Sequence, residues 1–219
     1  MNEKEATIKW NEYLIPGTEV LKNNLGVTNK EQLKEIEKNI VRKKLAYLYL
    51  KPIKGNFDKE HLLKTHKFIF DEIYPFAGKL RTCTLQKDSH VFCNPEEISE
   101  NLELILKQMN EEFDNSDIYS SQEFAFKLGK YYYEILYIHP FREGNGRSVR
   151  TFFRDFVVEK SKNKSCGPLD LDYTKLDKDA LILATAFRYM YPSGVEMEFM
   201  KGIQPIEKEI SNSNNNKKK

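Results

Sequence analysis

Apolar residues recur every three or four positions along most of this sequence, which is the spacing of one face of an α-helix. The pattern predicts helices over about 29–45, 59–73, 95–113, 122–138 and 145–157. Residues that commonly cap helices precede three of these stretches, namely Thr28 in a Thr-Asn-Lys-Glu capping box, Asp58 and Ser121. We therefore expect a mainly α protein.

One short segment departs from the helical spacing. Between Leu80 and Cys93, β-favouring residues stand on both sides of a polar Lys-Asp-Ser-His tip at 87–90. This arrangement predicts a β-hairpin. If the hairpin is centred at Asp88, Cys83 and Cys93 lie opposite each other.

The helix predicted to begin at about Gly144 or Asn145 has two different faces. Its apolar face contains Val149, Phe152, Phe153, Phe156 and Val157, and its arginine face contains Arg147, Arg150 and Arg154. The free amide N–H groups and the positive dipole end at a helix N-terminus attract anions. Arginine near that terminus is unfavourable unless an anion is bound, so we expect an anion site there.

The residues just before this helix add candidate chemistry. His139 titrates near neutral pH and can act as a base, and Glu143 offers an oxygen ligand for a hard divalent cation. Gly144 and Gly146 let backbone N–H groups approach an anion. Residues 139–150 thus predict a site that holds a phosphate-bearing substrate and removes a proton. The plainer alternatives are a hydrogen-bonded structural histidine, a carboxylate that only compensates the helix dipole, and a surface arginine.

Other nucleotide and metal motifs do not fit the sequence. Gly144 and Gly146 lack the third glycine of a dinucleotide fingerprint and do not follow a predicted strand. No P-loop pattern occurs, His61 and His66 do not form H-E-x-x-H, and the cysteines show no C-x-x-C pairing. A Rossmann site, a P-loop and a zinc site are therefore not predicted.

Composition sets the outer bounds. The 219 residues, 40% of them hydrophobic, suffice for one sizeable core. We expect one domain over 1–205 and a disordered polar tail over 206–219. A net charge of +2 with dispersed basic residues gives no sign of nucleic-acid binding.

Location is predicted from what the sequence lacks. It contains neither an apolar run of membrane-spanning length nor a signal-peptide pattern, and its three cysteines fit reduced thiols. We expect a cytoplasmic protein with no membrane partner, and export by a route without a cleaved signal stays open.

A family resemblance rests on residues 139–150, His-Pro-Phe-Arg-Glu-Gly-Asn-Gly-Arg-Ser-Val-Arg. They match the signature H-x-F-x-[DE]-G-N-G-R-x-x-R of the Fic family at every fixed position. The segments 18–26, 53–58 and 73–81 are similar to the same family. The resemblance runs from about residue 10 to about residue 200, and it implies a mainly α, Fic-type helical bundle with a short β-hairpin flap beside the active site.

The resemblance also implies an activity. Fic proteins mostly transfer AMP from ATP to a Ser, Thr or Tyr hydroxyl of a target protein and release pyrophosphate. His139 would be the base, and Glu143 would hold a Mg²⁺ ion bridging the α- and β-phosphates. The ATP phosphates would be bound by Gly144, Asn145, Gly146, Arg147 and Arg150. Of these, Arg147 would contact the inner phosphates and Arg150 the γ-phosphate.

The family further implies a use for the hairpin and a mode of control. The flap near 82–93 would dock the target segment by strand addition. Many Fic proteins are restrained by a helix bearing [ST]-x-x-x-E-[GN], whose glutamate pairs with the final motif arginine, here Arg150. Neither end of this chain contains that pattern. We therefore expect a toxin-type Fic protein whose inhibitory helix comes from a small separate antitoxin or is degenerate.

Two alternatives to AMP transfer stay open. Some relatives transfer UMP, phosphocholine or phosphate, although the kinase-type relatives carry Lys at the position of Gly146. The other alternative is a non-catalytic binding module with the Fic fold, against which the intact His139 argues.

Overall fold

The computed structural model describes residues 9–87, 90–188 and 190–206. The long helices are α1 (Lys30–Leu50), α2 (Lys59–Phe70), α3 (Ile98–Asn115), α4 (Ser121–Ile138) and α5 (Asn145–Ser161). Two shorter helices follow, α6 (Lys178–Ala186) and α7 (Gly194–Gly202). The prediction of a mainly α fold is confirmed.

Side-chain caps show how local sequence sets the helix starts. Asp58 caps α2 as predicted, because its carboxylate accepts a hydrogen bond from the His61 amide. The other two predicted caps are wrong by one residue: Asn29 caps α1 in place of Thr28, and Ser120 caps α4 in place of Ser121. In both places two neighbouring side chains are able to cap, and only the backbone conformation selects one.

The predicted hairpin is present but short. Strand β1 (Gln86–Lys87) pairs antiparallel with β2 (His90–Val91). Gln86 lies opposite Val91 and Lys87 opposite His90, and this register does not place Cys83 opposite Cys93. Both cysteines are free, buried thiols.

The core is built around α4 and α5. The apolar face predicted for α5 is buried, and Phe152, Phe153 and Phe156 have no exposed surface. These rings join side chains of α3, α4 and α7 in one apolar cluster. A second cluster packs α1 against α2. Burying each of these large side chains contributes about 1.5–3 kcal/mol, so the start of α5 is set on a well-supported helix.

The C-terminal part of the described chain covers the arginine face of α5. Strand β3 (Leu169–Leu171) pairs antiparallel with β4 (Ile203–Pro205) and contacts α5. Apart from Ile206, the predicted polar tail at 206–219 lies outside the described residues. Across the described ranges, no helix is both long and apolar enough to cross a membrane.

Candidate active site

Gly144 sets the geometry at the start of α5. It is the N-cap residue and has a left-handed backbone with φ of 82°. A Cβ at this position would lie 2.3 Å from Cε2 of Phe70 on α2. Glycine is therefore required both by the backbone angle and by the close approach of the ring. The first amide N–H groups of α5 have no intrahelical acceptor, which leaves them for an anion.

His139 is the C-cap residue of α4, also with a left-handed backbone, at φ of 50°. Its Nδ1 lies 3.3 Å from the Leu136 carbonyl oxygen. Because a carbonyl only accepts hydrogen bonds, Nδ1 carries the proton and Nε2 carries the lone pair that a base requires. The imidazole stacks on Phe92, just after β2, with ring centroids 4.0 Å apart. The candidate base is therefore in contact with the flap.

Asn145 holds the loop between His139 and α5. Its Oδ1 accepts a hydrogen bond from the Phe141 amide at 2.8 Å, and its Nδ2 donates to the Phe141 carbonyl at 2.7 Å. Both ends of this buried amide are engaged by the backbone. Asn145 can therefore contribute to an anion site through its main-chain N–H, while its side chain shapes the loop.

His66 supports the same loop from α2, a role that motif matching does not identify. Its ring stacks on Phe141 with centroids 3.8 Å apart, and Nδ1 accepts from the Gly78 amide at 2.8 Å. Nε2 must then carry the proton, which it donates to the Glu143 carbonyl at 2.9 Å. Burial lowers the pKa of His66 to about 4, so the ring is neutral at pH 7. A sequence signal existed, since His66 shares the apolar face of α2 with Leu62 and Ile69.

Arg81 connects the loop to the base of the flap. Its buried guanidinium donates to the carbonyl oxygens of His139 at 2.7 Å and Ile138 at 3.1 Å. It also donates to the backbone carbonyl oxygens of Cys83 at 2.7 Å and Cys93 at 2.6 Å, two residues that flank the paired strands of the hairpin. One side chain thus joins the end of α4 to both arms of the flap. Nothing in the spacing of the sequence predicts that this arginine is buried.

The three arginines that the sequence places on one face of α5 lie along the same side of the helix. Arg147 pairs with Glu37 of α1 and, at 3.1 Å, with Oε1 of Glu143. Arg154 forms two hydrogen bonds with the Asp170 carboxylate, at 2.8 and 3.1 Å. Arg154 therefore has a structural role, in which it joins α5 to β3. Within the described parts of the chain, no carboxylate lies within 4.0 Å of a nitrogen of Arg150.

A cavity of about 400 Å³ opens beside these arginines. It extends from Arg147 and Arg150 to Asp155 and Tyr173. Burial raises the pKa of Asp155 to about 7, despite the nearby Arg154 guanidinium. A larger cleft of about 1040 Å³ lies elsewhere, between the start of α2 and the C-terminal ends of α3 and α5. It contains none of residues 139–150, so the predicted chemistry points to the smaller cavity.

Glu143 is the candidate metal ligand. Its side chain is 41% exposed, and Oε1 accepts from the Gly144 amide at 2.9 Å and from Arg147. No group of three or more potential metal ligands occurs among the described residues. A single accessible carboxylate fits Mg²⁺, which proteins commonly bind through one or two carboxylates together with substrate phosphates and water.

These features define a class of protein: a helical bundle that presents a histidine at one helix end, an anion-binding helix start directly after it, and a short flap against the histidine ring. Residues 56–157 match the Fic/DOC family, so this chain contains a Fic domain. The predicted family and the predicted Fic-type bundle with its flap are confirmed.

Curated relatives share most of this chain. The protein adenylyltransferase VbhT of Bartonella schoenbuchensis is 34% identical over 177 residues, which are 81% of this chain and 35% of VbhT. "Probable protein adenylyltransferase Fic" of Escherichia coli is 26% identical over 146 residues, 67% of this chain and 72% of that protein. This chain therefore spans about a third of the length of VbhT.

Solved structures show the same fold. The N-terminal Fic domain of a VirB-translocated Bep effector protein from Bartonella quintana, with bound ADP, superposes with a TM-score of 0.80 at 21% identity and covers 90% of this chain and 96% of that one. BepC from Bartonella tribocorum, with bound AMPPNP, gives 0.77 at 23% identity and covers 90% and 98%.

Proposed function

We propose that this protein is a protein adenylyltransferase that moves AMP from ATP to a hydroxyl side chain of a target protein and releases pyrophosphate. The observation that carries the proposal is the pairing of the His139 base with the open N-terminus of α5 inside one twelve-residue segment, 139–150. Its relatives are named adenylyltransferases, and two structures of the same fold contain adenine nucleotides.

The proposed reaction is one in-line displacement. Nε2 of His139 takes the proton of the acceptor hydroxyl, and the hydroxyl oxygen bonds to the α-phosphorus. The bond between the α-phosphorus and the oxygen bridging to the β-phosphate breaks, and pyrophosphate leaves with the electron pair. The backbone from Gly144 to Arg147 stabilises the charge that develops on the α-phosphate.

The phosphate-binding roles follow from the match to the Fic signature, and the cavity beside both arginines supports them. Arg147 contacts the inner phosphates, and Arg150, next to the 400 Å³ cavity, contacts the γ-phosphate. Glu143 would hold Mg²⁺, and the ion would supply positive charge that neutralises the phosphates of ATP. A Cβ at position 146 would lie 3.2 Å from a terminal nitrogen of Arg150, so a side chain there would shift the guanidinium that is assigned to the γ-phosphate.

Labelled nucleotides test the proposal. The purified protein is incubated with Mg²⁺ and a host-cell extract, with ATP labelled at either the α- or the γ-phosphate. We expect label from the α-phosphate on a protein acceptor and none from the γ-phosphate. His139→Ala should lower the rate by about 100–10,000-fold while the protein stays folded.

The other outcomes are distinguishable. Label from the γ-phosphate would show phosphate transfer, and UMP or phosphocholine transfer would need UTP or a choline-containing donor. A wild-type protein that binds nucleotide but modifies nothing would be a non-catalytic Fic-fold module. An unchanged rate in His139→Ala would overturn the assignment of the base.

We further propose that the target docks on the flap near 82–93, because the flap carries Phe92, which touches the candidate base. The proposed control is a separate antitoxin whose helix supplies a carboxylate to Arg150. The absence of a carboxylate on Arg150 within the described residues supports it. We expect the purified single chain to be highly active. Low activity that a mutation within this chain relieves would contradict control by a separate antitoxin.

The cytoplasmic location stays a prediction.

A further inference from the structure

We propose that Glu37 on α1 is a positioning residue for phosphate binding: it holds the guanidinium of Arg147 in the orientation that receives the inner phosphates of ATP. Glu37 lies outside the Fic signature and is separated from Arg147 by 110 positions in the sequence. The proposal rests on the function proposed above, and it adds a residue from a different helix to that site.

The contacts of Glu37 use both of its carboxylate oxygens. Oε1 pairs with a terminal nitrogen of Arg147, and Oε2 accepts a hydrogen bond from the hydroxyl of Tyr74. Only 12% of the Glu37 side chain is exposed. A buried carboxylate whose two oxygens are both hydrogen-bonded has one preferred orientation. It therefore also fixes the orientation of the Arg147 guanidinium.

Tyr74 completes this arrangement. Burial, together with the Glu37 carboxylate, raises the pKa of the Tyr74 hydroxyl far above its ordinary value. The phenol therefore keeps its proton and acts as a donor to Glu37 at every pH at which the protein is used. The ring of Tyr74 stacks on Phe76 with centroids 4.8 Å apart, which fixes the position of the hydroxyl.

Arg147 is contacted by three side chains, yet it keeps N–H donors for a ligand. Besides Glu37, it contacts Oε1 of Glu143 at 3.1 Å and lies over the Phe70 ring at 4.7 Å. A guanidinium has five N–H donors, and among the described residues the hydrogen bonds to Glu37 and Glu143 leave others for phosphate oxygens. Without Glu37, the long side chain would have to be ordered by the ligand at the cost of binding affinity.

Nucleotide affinity tests the proposal without knowledge of the target. The dissociation constant of Mg²⁺–AMPPNP is measured by calorimetry for the full chain. Glu37→Gln is expected to raise it about tenfold and Tyr74→Phe by a smaller factor. The matched control is Glu35→Gln, since Glu35 lies on the same helix, is 64% exposed and, among the described residues, forms an ion pair only with Lys38 at 3.7 Å.

A double-mutant cycle separates positioning from a general structural role. In an Arg147→Ala background, Glu37→Gln should cause no further loss of affinity. Losses that add fully would show that Glu37 does not act through Arg147 and would overturn the proposal. If Glu37→Gln proves too unstable to study, Tyr74→Phe in both backgrounds gives the same test.

The remaining outcomes are equally decisive. A wild-type protein that does not bind the nucleotide would refute the proposed function itself. If the wild type binds and Glu37→Gln binds equally well, the function survives and the positioning role fails. Tighter binding in Glu37→Gln would mean that Glu37 competes with phosphate for Arg147, which also overturns the proposal.

Discussion

The loop from His139 to Gly144 and the flap near 82–93 are in contact at the His139–Phe92 stack, yet they are built in opposite ways. The loop is bonded from several elements: His66, Arg81 and Asn145 all form hydrogen bonds to its backbone. The flap consists of two paired strands of two residues each, and Val91 is 51% exposed.

The difference separates two requirements of one reaction. Proton removal and phosphate binding need atoms held in place, and the loop supplies this through buried hydrogen bonds. A docking edge must accept an incoming chain, and exposed backbone with few side-chain contacts serves that purpose. Arg81 connects the two a second time, because its guanidinium donates hydrogen bonds to the loop and to both arms of the flap.

The largest effect is expected from breaking this connection. Arg81→Met leaves three buried carbonyl oxygens and one partly buried one without their donor, and each such loss costs about 1–3 kcal/mol. We expect the free energy of unfolding in urea to fall by at least about 4 kcal/mol. Arg42→Met, at an exposed position on α1, is the control and should stay within about 0.5 kcal/mol. A fall of under about 1 kcal/mol for Arg81→Met would contradict the connection.

Crowding the loop comes next. Gly144→Ala combines a positive φ, costing about 1–2 kcal/mol, with a collision against Phe70 that adds about 1–3 kcal/mol. Gly167→Ala is the matched control, since Gly167 has φ of 76° but nothing within 4 Å of a new Cβ. Urea unfolding of both variants isolates the collision. Equal losses would mean that the Phe70 contact is unimportant.

Protonation of His66 at acidic pH should lower the free energy of unfolding. Its pKa is about 4 in the folded protein against an ordinary value of 6.5. Between these values the unfolded chain binds more protons, so stability falls as the pH falls from about 6.5 to 4, by roughly 3 kcal/mol in total. His66→Gln does not titrate in this range. Unfolding free energies at several pH values should therefore fall less steeply for the variant, and identical slopes would contradict the assignment.

The smallest effect on stability is expected in the flap. Val91→Ser alters an exposed strand residue, and the free energy of unfolding should change by no more than about 0.5 kcal/mol. The affinity for Mg²⁺–AMPPNP should also be unchanged, while transfer to the target protein becomes slower. A loss of nucleotide affinity would show that the flap belongs to the rigid part of the site after all.

The sequence predicts the helices and the motif better than it predicts their support. The spacing of Phe152, Phe153 and Phe156 predicts the buried face of α5, because helical periodicity is a local property. The caps of α1 and α4 were wrong by one residue, since Thr28 and Asn29 are both able to cap. Arg81 and Glu37 were not identified, because their partners come from distant parts of the chain and no periodicity encodes those contacts.

The contact between Glu37 and Arg147 also shows that the residues supporting the site extend beyond the part of the chain that matches the family. The match to the Fic/DOC family covers residues 56–157, which includes every residue of the signature but not Glu37. Asp170, the partner of Arg154, lies beyond the other end of that match. A chain shortened to 56–157 would keep every residue of the signature but would lose Glu37 and Asp170, the carboxylates that pair with Arg147 and Arg154. The same loss would follow if the motif were grafted onto another helical bundle.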